Sequence, residues 1–149
     1  MEDAIGRLLG RTHKFVRMWC DRRLAPIDGS VTEWILLTHI AQAEAPGMSQ
    51  TDVARFSDMS GPALVRHLDR LAEEGALVRT RDADDRRVMR ITLTARGLAR
   101  LDELRVVMDA CDREMRAQLT KEEQRVLARA LDKLFKLTFA DHHAPRSSA

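Results

Sequence analysis

The chain has 149 residues, of which 44% are hydrophobic and 32% charged, and its net charge is only +2. That composition suits a globular core, and every apolar stretch is broken by charge well short of bilayer-spanning length. The opening Met1-Glu2-Asp3-Ala4 is acidic and lacks a charged-then-apolar leader pattern, so the expectation is a soluble cytoplasmic protein with no membrane partner.

From Ile5 to Leu24 the apolar residues Ile5, Leu8, Leu9, Phe15, Val16, Trp19 and Leu24 recur at helical spacing, and Pro26 and Gly29 end that helix. Thr32 is placed to cap a second helix containing Ile35, Leu36, Ile40 and Ala41, closed by Pro46-Gly47. Ser49 opens a short third helix, with Asp52 able to reach back to its first turn and Val53, Ala54 and Phe56 on its apolar face. Ser57-Asp58-Met59 reads as a turn. Ser60 is the expected cap of a fourth helix, in which Pro62 sits where a missing N–H costs nothing. Leu64, Leu68, Leu71 and Ala72 form one stripe of that helix, and Gly75 ends it.

The period then changes. Residues 77–81 and 88–93 read as two strands joined by the charged turn Asp82-Ala83-Asp84-Asp85-Arg86-Arg87, a β-hairpin. Thr94 caps a long helix with Leu101, Leu104, Met108, Cys111 and Met115 at coiled-coil-like spacing. Thr120 to Glu123 is a capping box for a last helix carrying Leu127, Leu131, Leu134, Phe135 and Leu137. Residues 141–149 have little to bury and are expected to be a disordered tail. The fold class expected is mainly α with a small β-hairpin wing.

A short helix, a tight turn, a capped helix and then a hairpin is the order of a winged helix-turn-helix. On the fourth helix the face opposite the leucines carries Ser60, Pro62, Ala63, Arg66, His67 and Arg70, suited to base edges and phosphates in a major groove. Ser49 and Gln50, at the start of the third helix, complete that expected DNA-facing set. Arg79, Arg81, Arg86, Arg87, Arg90 and Arg96 crowd one stretch, a local basic strip of the kind phosphate contact needs. At the hairpin tip, Asp85 and Arg87 sit two apart, so Asp85 can hold the Arg87 guanidinium rigid for a minor groove while Arg86 meets phosphate.

Asp84-Asp85-Arg86-Arg87 followed by Ile91-Thr92-Leu93-Thr94-Ala95-Arg96-Gly97 resembles the wing signature of MarR-family transcription regulators. Asp21-Arg22-Arg23-Leu24-Ala25-Pro26 with Thr32-Glu33-Trp34, and the run from Pro62 to Leu71, are similar to the SlyA branch. The resemblance covers about residues 5 to 140. It implies a single domain over 1–140, with a winged DNA-binding lobe at about 32–97 flanked by dimerisation helices at about 1–30 and 98–140. It further implies a homodimer on a palindromic double-stranded site, acting as a repressor relieved by a small phenolic or carboxylate effector or by oxidation. Lys14, Arg17, Thr32 and Trp34 are the candidate effector residues, a cationic set with an aromatic wall.

Other readings have less to stand on. The sequence has no GxxxxGK loop, HExxH or Gly-x-Ser-x-Gly elbow, so no catalytic residues are assigned and an enzyme is not expected. Asp82, Asp84 and Asp85 do not continue into a calcium-loop pattern, and neither a metal nor another cofactor is expected. The two cysteines, Cys20 and Cys111, fall at apolar helical positions and read as buried residues, with a redox switch through Cys20 as the alternative. A winged helix used only for protein contacts would not need arginines at both wing tip and recognition helix.

Overall fold

The computed structural model describes residues 4–143 except 58 and 60. It divides into two compact units, residues 1–109 and 110–149. In the first unit, α1 (Ile5–Leu24) runs into a single 3-10 turn over Ala25–Ile27, then α2 (Val31–Gln42), β1 (Met48–Ser49), α3 (Gln50–Phe56) and α4 (Gly61–Glu73). The strands β2 (Leu77–Arg81) and β3 (Met89–Leu93) follow, and α5 (Ala95–Ala117) begins in this unit and ends in the second, which also holds α6 (Lys121–His143). No helix among the described residues is long and apolar enough to cross a membrane.

The corner between α1 and α2 is fixed by side chains standing in for the missing helical partners. Ser30 is the N-cap of α2, its hydroxyl accepting from the Glu33 N–H at 3.1 Å, and Asp21 of α1 accepts from the Val31 N–H at 2.7 Å. The expected cap, Thr32, instead lies inside the helix. Val31 is buried, and the helix must begin early enough to carry it into the core.

β1 was not expected, and it pairs antiparallel with β3, Met48 opposite Ile91, giving the sheet order β1-β3-β2. Gly47 makes that approach feasible. It has φ +104, and a Cβ there would lie 2.5 Å from Thr92 Cγ2 and 2.8 Å from the Ile91 carbonyl oxygen. Two residues are too short for an alternation to register. β2 and β3 form the expected hairpin from Leu77 opposite Leu93 to Arg81 opposite Met89.

Leu64, Leu68 and Leu71 of α4 are fully buried together with Leu24, Leu36, Leu37, Leu77, Ile91, Leu101 and Leu104. The helix closes on Gly75, whose N–H donates to the Ala72 carbonyl at 2.9 Å while the Ala76 N–H donates to that of Leu71 at 2.8 Å. This is the paired ending that a left-handed residue permits. Thr94 caps α5 as expected, accepting from the Gly97 N–H at 3.1 Å and donating to the Gly75 carbonyl at 2.6 Å. In the second unit the Thr120 hydroxyl accepts from the Glu123 N–H at 3.3 Å, and the Glu123 carboxylate accepts from the Thr120 N–H at 2.7 Å. The Thr120 N–H foremost, and then the Thr120 hydroxyl, which donates to the same carboxylate oxygen at 2.8 Å, hold the Glu123 carboxyl below its usual range. α6 continues to His143, three residues into the stretch expected to be a tail, because nothing in Asp141-His142-His143 breaks a helix.

Candidate nucleic-acid interface

The wing tip is built on Asp82. Its Oδ1 accepts from the N–H groups of Asp84 and Asp85 at 2.9 and 3.0 Å, and its Oδ2 accepts from Arg90 Nε at 2.5 Å. The Asp85 amide, then Arg90, then the Asp84 amide hold its carboxyl down at about 2, well below an ordinary aspartate. The backbone thus turns around a carboxylate, and the Val88 N–H closes the turn on the Asp85 carbonyl at 2.9 Å. Beyond this base, Asp85 Oδ1 accepts from both the N–H and the Nε of Arg87, at 3.0 and 3.2 Å. The Arg87 side chain is 92% exposed, so the fork is oriented and still reachable. Arg86 is exposed beside it.

On α4, Pro62 and Arg66 are exposed, while Ala63 and His67 are half-buried. Arg66 makes no ion pair with the described residues. The Nδ1 of His67 is buried with no hydrogen-bond partner among them. Ser60 lies outside the described residues. Ser49 is half-buried and spends its hydroxyl on capping α3, accepting from the Asp52 N–H at 3.1 Å and donating to Asp52 Oδ2 at 2.6 Å, with half-buried Gln50 next to it.

The basic strip is less uniform than its sequence suggests. Arg79 is tied to Asp69 of α4 at 2.6 Å and Arg90 to Asp82, so both arginines brace the hairpin. Arg70 departs further from expectation. Its guanidinium reaches Glu74 at 2.9 Å and the buried Glu33 of α2 at 3.4 Å, turning inward because Glu33 lacks water to solvate it. Arg100 of α5 is the other partner of Glu33, at 2.8 Å, and that bond raises the arginine's affinity for its proton. Neither Glu33 nor Arg100 was singled out from sequence, since a pairing across 67 positions leaves no local pattern. Asp82 did leave one, an aspartate followed by two turn residues.

Of the four candidate effector residues, Arg17 and Thr32 come together, the guanidinium donating to the hydroxyl. Trp34 is half-buried. Lys14 is exposed, its Nζ 5.9 Å from the Phe15 ring centre. A cavity of about 360 Å³ in the same unit is lined by none of these four but by Arg70, Glu74, Arg96, Arg100 and Glu103 among others. Cys20 and Cys111 are both buried. Among the described residues, no three His, Cys, Asp or Glu side chains group as a metal site.

The MarR family model matches residues 28–88. The MarR family protein Rv2887 of Mycobacterium tuberculosis, solved with salicylic acid, is 31% identical over 89% of this chain and 97% of its own, with a TM-score of 0.73. MepR of S. aureus, solved with DNA, is 22% identical over 91% of this chain and 98% of its own, at a TM-score of 0.78. A mutant of MarR from E. coli in complex with operator DNA is 24% identical over 87% and 92%, at 0.75. The last two likenesses speak to the fold alone.

Proposed function

The chain belongs to the MarR family, and from that premise we propose that it is a homodimeric transcription regulator. It reads a palindromic double-stranded DNA site and represses until a small aromatic or anionic ligand binds. The observation that carries this reading is the pairing of two exposed arginines on different elements: Arg66 on α4, and Arg87 at the wing, oriented by Asp85. α4 fits a major groove, and the wing fork fits the narrow, negative minor groove beside it. A winged helix used only for protein contacts needs neither.

The ligand half of the proposal rests on Rv2887, which holds salicylic acid, and on the Arg17–Thr32 contact, which places a cation beside a hydroxyl. The sequence similarity over 21–26 and 62–71 favours the SlyA-like branch. Oxidation of Cys20 is the weaker signal, since only 2% of that residue is exposed to an oxidant.

The test is selection of bound sequences from random duplex DNA with the full chain, followed by affinity measurements across a salt series. The expected result is a palindromic preference and a log K that falls linearly with log salt. Absence of binding to any duplex at low salt overturns the reading. Salicylate at millimolar concentration is expected to weaken the selected complex in the parent and much less in Arg17→Ala. A ligand shifts binding only by its differential affinity for the two states.

A further inference from the structure

Glu33 is 1% exposed, and its carboxylate is divided between two elements. One oxygen accepts from Arg100 Nε of α5 at 2.8 Å, the other from Arg70 Nη2 of α4 at 3.4 Å. We propose that Glu33 is a positioning residue for DNA reading: through Arg70 it sets the roll of α4 about its own axis, and so where Arg66 reaches. The inference rests on the DNA-binding reading above.

Three observations support it. First, Arg66 and Arg70 are four residues apart, adjacent on one face of α4, so a pull on Arg70 turns Arg66 with it. Second, α4 borders a cavity on the Arg70 side. The leucine stripe holds the helix along its other face, whereas beside Arg70 lies the cavity of about 360 Å³ bounded by Glu74, Arg96, Arg100 and Glu103. The ion pairs at this edge therefore act together with the buried leucines in holding the helix's orientation. Third, the two bonds are unequal. The short bond to Arg100 keeps the buried carboxylate compensated, leaving the longer one to Arg70 as the adjustable arm. Arg70 thus acts through α4 and need not touch a phosphate.

The rival assignment makes Arg70 a direct phosphate contact, and salt dependence separates the two. Affinity for a duplex selected by the parent is measured over a salt series for the parent, Glu33→Gln, Arg70→Gln and the double variant, all full-length. Each arginine keeps a second carboxylate, Glu74 for Arg70 and Glu103 for Arg100, so Glu33→Gln is expected to fold. Each single variant is expected to bind roughly tenfold more weakly, the double no worse than either single, with the salt slope unchanged. Unchanged affinity in Glu33→Gln, or a slope flattened by about one phosphate in Arg70→Gln, overturns the proposal. Should Glu33→Gln fail to fold by circular dichroism, Arg70→Gln decides alone. Weaker binding with the parental slope then supports positioning, and a flattened slope or undiminished affinity refutes it. A parent that binds no duplex at all would refute the DNA-binding reading instead, a separate result.

Discussion

At the wing tip one carboxylate oxygen of Asp85 receives both the backbone N–H and the Nε of Arg87, so an aspartate beside the proposed DNA surface has a task other than repelling phosphate. Removing the Arg87 fork by Arg87→Ala is expected to weaken binding strongly with the fold intact. Asp85→Ala gives the sharper contrast. Electrostatics alone predicts tighter binding when a negative charge leaves, whereas loss of the orienting bond predicts looser binding. Looser binding is the expected outcome, and affinity at or above the parent's in a folded variant would rule the orienting role out. Asp82 works one layer below, and its folded-state carboxyl sits at about 2 against an ordinary 3.8. A lowered carboxyl stabilises the fold above its ordinary value and loses that contribution as pH falls through the lowered one. The wing should therefore hold its turn down to pH 3.8 and loosen between there and about 2. The amide resonances of Asp84 and Asp85 report this directly; a midpoint near 3.8 would mean that the three bonds to Asp82 do not form in solution. The Asp85–Arg87 pair was legible in sequence because the partners are two residues apart. The Glu33–Arg70–Arg100 set was not, because three elements must fold before it exists.

Elements whose ends are marked by local chemistry were the most readable. Ser49, Thr94 and Thr120 all cap the helices expected of them, since a cap needs only three or four consecutive residues. Ser30, not the expected Thr32, caps α2, and although Ser30-x-x-Glu33 has the spacing of a capping box, the Glu33 carboxylate turns to the arginines. β1 was illegible because its existence depends on β3, more than forty residues on, and on Gly47 letting the strands approach. The joint between hairpin and α5 gives a prediction at this scale. Gly97 follows the Thr94 cap, and a Cβ there would overlap the carbonyl oxygen of Ala76 at the head of β2. The helical backbone would accept alanine, which makes the clash the deciding term. Gly97→Ala is expected to destabilise the chain by about 1–3 kcal/mol, the usual cost of overpacking against a rigid neighbour. Chemical denaturation would read this as a lower midpoint at unchanged slope. A midpoint equal to the parent's would show that α5 can lift off β2 freely.

Over the whole molecule, the apolar faces of the first and last helices lack a described cover. Ile5, Leu8, Leu9, Phe15 and Met18 on α1 are exposed, and so are Val126, Leu127, Leu131 and Leu137 on α6. Single exposed leucines need no explanation, but two helices each exposing a stripe exceed what a monomer normally leaves to water. A second copy of the chain is the economical occupant, because a twofold interface buries the same stripe twice, and a palindromic site requires two readers. The dimer is therefore part of the proposed function. Leu127 and Leu131 stand four apart on α6, 47% and 42% exposed, which allows a discriminating variant. If the chain is monomeric, Leu127→Glu with Leu131→Glu replaces surface residues and changes stability by about 0.5 kcal/mol or less each. If the stripe is the interface, the substitutions place like charges against an apolar partner surface, and sedimentation should show the parent dimer giving way to a folded monomer. That monomer should retain weak, salt-sensitive attraction to duplex DNA through α4 and the wing, while losing the preference for a palindrome over a single half-site. A double variant that sediments as a dimer, or a parent that sediments as a monomer at micromolar concentration, would place the interface elsewhere or remove it, and the two-reader geometry would have to be abandoned with it.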